Sequence, residues 1–258
     1  IDIHGILGLD LNVRGAVGEN GPVVDDARAL LSLKNLDAML NDSLKAVSDQ
    51  LSADITYPSR IAVDKDRQTA DIVLKAADLA VSVIDSTTIN ASFDDLDLNA
   101  SVAGLDEETD KMNIIMDLRA EKLKADMDTI SGTLDNADIS LTIAPAESTT
   151  AMMANIAFND LSASVGSTLN ASLGKTDLLA VAQYDESKDD LLLKYNPRIK
   201  VTFEDGNLEM LDEPILLPVL DMDFSLGRFN INDCRVEIDN SDIMLWGDVY
   251  NIGEYIDG

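Results

Sequence analysis

The chain has 258 residues, of which 46% are hydrophobic and only 4% aromatic, so a large apolar surface is available and it is built mainly from Leu, Ile, Val, Ala and Met. A net charge of −29 all but excludes nucleic acid, whose phosphates are met by Lys and Arg with release of counterions, and it argues equally against charge attraction to an anionic bilayer. One cysteine, Cys234, excludes an internal disulfide and a multi-cysteine metal site, and there is no run of about 18 apolar residues to cross a bilayer as a helix.

The first segment, "IDIHGILGLDLNV", places Ile3, Leu7, Leu9, Leu11 and Val13 on one parity and Asp2, His4, Asp10 and Asn12 on the other. One dry and one wet face is the pattern of an antiparallel strand. The alternation is under way from Ile1, with no leader-like segment before it, as expected of a piece of a longer protein.

From residue 31 the alternation begins to skip. "LSLKNLDAML" (31–40) reads apolar, x, apolar, two polar residues, then apolar, x, apolar, x, apolar. The same ten-residue pattern returns at 74–83 ("LKAADLAVSV"), 91–100 ("ASFDDLDLNA"), 118–127 ("LRAEKLKADM") and 156–165 ("IAFNDLSASV"). It returns with one departure at 46–55 ("AVSDQLSADI") and at 224–233 ("FSLGRFNIND"). The steps from 31 to 74 and from 74 to 118 are 43 and 44 residues, which predicts a unit of about 44 residues holding two copies over 31–165.

A skip of one residue would turn every later side chain to the wrong face. A β-bulge inserts one residue, bends the strand and restores the dry face. The pattern therefore predicts bulged strands crossing a corner. Leu36, Leu40, Leu44, Val47 and Leu51 also fall at helical spacing, but the repeat favours strands there. "MNIIMDL" and "DISLTI" read as further alternating strands, and "YPSR", "EDGN" and "GLDEETD" as turns. "EPILLPVLDM", with Pro214 and Pro218, reads as an extended linker or a short apolar insertion, because proline cannot donate to a ladder. Trp246, in "IMLWGDV", is expected in the core.

The residues offer little chemistry. His4, the sole histidine, lies on the wet parity. There is no G-x-S-x-G elbow, and "GILG" lacks the glycines and the following helix of a phosphate loop. Carboxylates cluster at Asp64/Asp66, Asp94/Asp95/Asp97, Asp106/Glu107/Glu108/Asp110, Asp185/Glu186/Asp189/Asp190 and Asp221/Asp223, none with calcium-loop spacing. They are expected to be solvated surface, so no catalytic residue, metal or cofactor is assigned. The N-x-S triplets at Asn41, Asn90, Asn99 and Asn170 suit small polar strand and turn positions.

The repeats "ISGTLDNADISLTI" and "TINASFDDLDLNASV" resemble those of AsmA-like and TamB-related proteins of the Gram-negative envelope. The run "FSLGRFNINDCRVEIDNSDIMLWGDVYNIGEYI" resembles an AsmA-type C-terminal region, over about 221–258, through Phe229, Ile231, Val236, Ile238, Ile243, Leu245, Gly247, Val249 and Ile252. The resemblance implies a periplasmic protein tethered to the inner membrane by an N-terminal anchor absent from this chain. It also implies phospholipid carried along an apolar β groove in outer-membrane biogenesis.

Together these readings predict an all-β fold over 1–258: a single elongated, curved, mostly antiparallel repetitive sheet, forming a half-pipe or groove, with bulged strands and little helix. Its partners are lipid acyl chains and not nucleic acid, and it is not an enzyme. Leu96, Leu98, Leu123, Ala125, Met127, Ile139, Leu141 and Ile143 are the predicted groove residues, with Asp97, Lys124, Asp126 and Ser140 facing water. The competing reading is a structural or adhesive β-repeat protein whose apolar face is a closed core. A carbohydrate-active enzyme is a distant third, because it would need carboxylates converging in an aromatic pocket.

Overall fold

The structure, a computed structural model, describes residues 2–18, 21–41, 43–60, 67–84, 87–106, 111–146, 148–210, 213–239 and 241–250. The chain is all-β and antiparallel. Its strands are β1 (Asp2–Gly18), β2 (Gly21–Leu40), β3 (Leu44–Tyr57), β4 (Thr69–Ile84), β5 (Thr88–Ala103), β6 (Asn113–Met127), β7 (Ile130–Pro145), β8 (Thr149–Val165), β9 (Leu169–Leu173), β10 (Thr176–Asp185), β11 (Arg198–Met210), β12 (Glu213–Ser225), β13 (Arg228–Ile238) and β14 (Ser241–Val249). One helix, α1 (Leu191–Tyr195), interrupts them.

The chain divides into two compact units, 1–123 and 124–258. In the first, β1 to β6 lie side by side in chain order. In the second the order is β7-β8-β10-β11-β12-β13-β14, with β9 also pairing β8 and β11. Among the described residues β1 pairs with β2 alone and β14 with β13 alone.

The skipped residues of the sequence are interruptions of the strands, bulges where the register shifts, as opposite Asn35 in β1–β2, and matched breaks without a shift in β2–β3, β3–β4, β4–β5 and β7–β8. Asn35, Asp78, Lys122 and Asp160, each the fifth residue of its ten-residue copy, have φ of 51°, 48°, 52° and 54° inside otherwise extended strands. Asn and Asp enter this left-handed region at least cost because their short polar side chains bond locally. In the first unit the interruptions stand opposite one another: Lys34 faces Gln50, Gln50 faces Ala77, and Ala77 faces Asp95. The buried Ser48 hydroxyl donates to the Ala77 carbonyl at 2.7 Å, satisfying a backbone acceptor at the break.

In the second unit β9 and β10 are one strand broken at Gly174–Lys175. Asp160 N donates to Gly174 O (3.2 Å), Gly174 N to Glu204 O (3.1 Å) and Glu204 N to Lys175 O (2.9 Å), stitching the breaks of three strands together. Each interruption bends its own strand, so a row of aligned interruptions creases the sheet of each unit.

Four expectations are corrected. "EPILLPVLDM" is not a linker but most of β12, whose register with β13 shifts between Leu216 and Val219. Pro218 sits at that shift, a bulge position where no ladder donor is needed. "EDGN" is not a turn but lies within β11, with Asp205 at φ 58°. The copy at 224–233 is misplaced: Leu226 (φ 40°) and Gly227 (φ 74°) form a two-residue hairpin turn, and Ser225 faces Arg228. The true copy starts at Phe229 and runs through Ile231, Asn232–Asp233, Cys234, Val236 and Ile238. Trp246 is not core, being 75% exposed on the edge strand β14.

Residues 36–40 and 44–51 are strand, with Asn41 (φ 51°) following the end of β2. α1 was not expected. Asp190 caps its first turn by accepting from Leu193 N at 2.9 Å, and Asn196 ends it in the left-handed conformation.

Candidate functional site: the apolar face

Residues directly opposite in antiparallel strands share a face, so the register defines the dry face row by row. Nearest the crease in the first unit runs Leu33–Leu51–Ala76–Leu96, and beside it Leu31–Ala53–Leu74–Leu98. Beyond the crease runs Leu40–Leu44–Val83–Ile89. In the second unit the crease row is Ala137–Phe158–Thr176–Phe203–Leu220–Cys234, flanked by Ile139–Ile156–Leu178–Val201–Met222.

Small side chains stand among large ones in these crease rows, and several small residues are covered by their neighbours. Ala76, Ala120, Thr176 and Cys234 are 5–8% exposed. Thr176 carries a consequence: its Oγ1, between Phe158 and Phe203 in the row, is buried without a hydrogen-bond partner.

Away from the crease the face is open. Among the described residues no large side chain is fully buried. Leu74, Ile89 and Ile199 are 37–42% exposed even inside the sheets, and Leu7, Leu9 and Leu11 on β1 reach 66–72%. A sheet in a layered domain buries its dry face against another element. Among the described residues the only helix is five residues long and packs on β10.

Of the predicted groove residues, Leu96, Leu98, Ile139, Leu141 and Ile143 stand in rows of this face. Leu96 and Leu98 face Ala76 and Leu74 on one side of the first unit's crease. Leu123 follows the break at Lys122 in β6, which is antiparallel to β5, so it lies across the crease from them. Ile139, Leu141 and Ile143 form one block in the second unit, facing Ile156, Ala154 and Met152. Ala125 and Met127, at the end of β6, are exposed.

The other face is a lattice of paired charges. Arg28 forks onto Asp54, with Nε 3.0 Å from Oδ1, and this guanidinium holds the Asp54 carboxyl below the usual carboxylate range. Lys75 meets Asp97 at 2.8 Å, Lys122 meets Asp94 at 3.2 Å, and Arg235 meets Asp242 at 2.8 Å. Asn232 Nδ2 donates to Asp221 (3.0 Å) and Asp223 (2.9 Å), and with Asn230 it lowers the Asp223 pKa.

Of the clustered acids, Asp94, Asp97, Asp221 and Asp223 are held by partners on this lattice, and Asp185 and Asp190 by turns. Asp185 accepts from Ser187 N and Oγ, and Asp190 caps α1. Asp64, Asp66, Glu107, Glu108 and Asp110, like Ile252, lie outside the described residues. Among the described residues no three His, Cys, Asp or Glu side chains converge to hold a metal. His4 is exposed, 3.2 Å from Asp2.

No family model, curated protein or solved structure matches this chain.

Proposed function

We propose that the chain is a non-enzymatic, lipid-handling module of the cell envelope, whose dry face receives acyl chains. The observation that carries this reading is the open dry face: successive rows of aliphatic side chains with, among the described residues, no second layer over them. Rows lie about 4.8 Å apart between strands and about 7 Å apart along them, a smooth aliphatic surface against which methylene chains make dispersion contacts. Few aromatics interrupt it, which suits acyl chains better than sugars or bases. Exposed apolar patches above a few hundred Å² mark interaction sites more often than accidents. The paired charges of the opposite face keep that side solvated.

The resemblance to AsmA-like proteins extends the proposal to phospholipid, to the periplasm with a tether to the inner membrane outside this chain, and to outer-membrane biogenesis. Mass spectrometry of an organic extract of the purified chain tests it. Phospholipid in stoichiometric amount is the expected result. No lipid, together with no fluorescence gain from an apolar dye in the native state, overturns it in favour of a structural or adhesive repeat whose dry face is closed in the assembled protein.

A further inference from the structure

We propose that α1 and the β12–β13 hairpin turn, side by side in the second unit, form a docking tip that enters the interface of a zwitterionic bilayer. Three observations lead there. The first is a strained leucine. Among the described residues ten non-glycine residues have positive φ; eight are Asn or Asp, one is Lys122, and the tenth is Leu226 at 40°. A bulky side chain is an outlier in this region, and such strain persists where a function holds it. Leu226 is 52% exposed, so packing within the chain does not offset the strain.

Second, α1 presents leucines in the same way. Leu191 is 72% and Leu193 55% exposed, and no residue of the helix is buried. Leu193 and Leu226 line one cavity of about 250 Å³, which places the two apolar tips next to each other. Neighbouring exposed leucines mark a contact surface.

Third, the tip continues from the dry face and suits a neutral, dipolar surface. The dry row Leu141–Ala154–Ala180–Ile199–Phe224–Phe229 ends on the two strands that the turn joins. Tyr195 of α1 meets Tyr184 with ring centroids 5.3 Å apart, and Lys194 Nζ lies 5.2 Å from the Tyr184 ring. Tyrosine favours the membrane–water interface, where its ring is apolar and its hydroxyl wet. Residues 185–198 carry three cations and four acids, against 19 and 48 in the whole chain. This nearly balanced segment meets zwitterionic headgroups without net repulsion, whereas an anionic bilayer repels a chain of −29. A module that receives acyl chains has to meet a bilayer to load or unload them, so the choice of a bilayer as occupant rests on the lipid-handling proposal.

Flotation of the whole chain with phosphatidylcholine vesicles tests the proposal. The chain is expected to float with them, and at low salt to bind about tenfold less when about one-third of the lipid is phosphatidylglycerol. Leu226→Asn and Leu193→Ser each withdraw one leucine from the interface and are expected to weaken binding about tenfold. Leu216→Ser, 39% exposed at the other end of β12, is expected to leave binding unchanged. Organic extraction of the same proteins reads the dry face separately: Leu226→Asn, in the turn and outside the dry rows, keeps the lipid content of the parent. A parent that does not float with phosphatidylcholine overturns the tip, whatever lipid it carries. So does undiminished binding by Leu226→Asn and Leu193→Ser, an equal loss in Leu216→Ser, or tighter binding with phosphatidylglycerol. A chain that ignores vesicles and self-associates through Leu193 and Leu226 overturns it in favour of a contact between copies.

Discussion

Leu98→Glu distinguishes an open dry face from a closed core. Leu98 is half-buried on β5 and faces Leu74, which is itself 37% exposed. Full burial of a leucine stabilises by about 1.5–3 kcal/mol, so losing the half-buried side chain costs roughly 1 kcal/mol. A carboxylate at the end of the Glu side chain reaches water on an open face and adds little to that. In a closed core the same carboxylate would be buried unpaired, at a cost of about 3 kcal/mol or more. With a urea m-value of about 1–3 kcal/mol/M, the open face predicts a midpoint lowered by about 0.3–1 M and a folded protein in buffer. Leu141→Glu makes the same test in the second unit, where Leu141 faces Ala154. Asn99→Glu, one residue from Leu98 and on the wet face opposite Val73, is the control and should change neither stability nor lipid content. The Leu variants are expected to stay folded and to lose extractable lipid. Unfolding of Leu98→Glu in buffer would refute the reasoning, because it would mean that a layer covers this face.

Thr176→Val removes a buried hydroxyl that has no partner and keeps the side-chain shape, so it is expected to stabilise by about 1 kcal/mol in urea unfolding; a loss of stability would mean that the hydroxyl is bonded in solution. Leu226 occupies the first position of a hairpin turn at φ 40°, which Asn adopts more readily, so Leu226→Asn is expected to stabilise by about 0.5–1 kcal/mol. Asp223 is held below its ordinary value of 3.8 by Asn232 and Asn230. Its contribution is therefore present above that value and lost as pH falls through the lower folded pKa. Carbon-detected NMR titration should show the Asp223 midpoint move up toward 3.8 in Asn232→Ala, and no movement would remove Asn232 as the cause.

The bulged strands were legible where two polar residues filled the break and one was Asn or Asp, as at Lys34–Asn35 and Asn159–Asp160. They became invisible where other chemistry met the same geometric need. Pro218–Val219 fills the break with residues that look like a linker, and Gly174–Lys175 divides one strand into two. Gly206 stands where the pattern expects a bulky apolar group: a Cβ there would lie 3.0 Å from Leu217 Cβ and 3.1 Å from the Phe203 ring, so only glycine fits beside them. The copy at Phe224 failed because a tight hairpin, Leu226–Gly227, imitates a two-residue skip. Trp246 was misjudged because hydropathy marks a residue as apolar without saying whether its strand has a neighbour. The dry-face parity of the groove residues followed from the pattern. Their division across a crease did not, because which side a residue takes depends on strand direction and register. The absence of a covering layer is likewise a property of packing between strands and not of any one of them.

Within each unit, except at the β9–β10 break, strands next to each other in the chain pair with each other. Contacts made between sequence neighbours close short loops, and short loops cost little entropy. Stability in such a connectivity is close to a sum of hairpin terms and nearest-neighbour couplings. Unfolding would then travel inward from an edge as a front, with β1 and β14 exchanging their amide protons first and interior strands later. A loss confined to one hairpin would leave distant hairpins standing, so damage in this molecule is local in the way that a dropped stitch is local until something pulls on it.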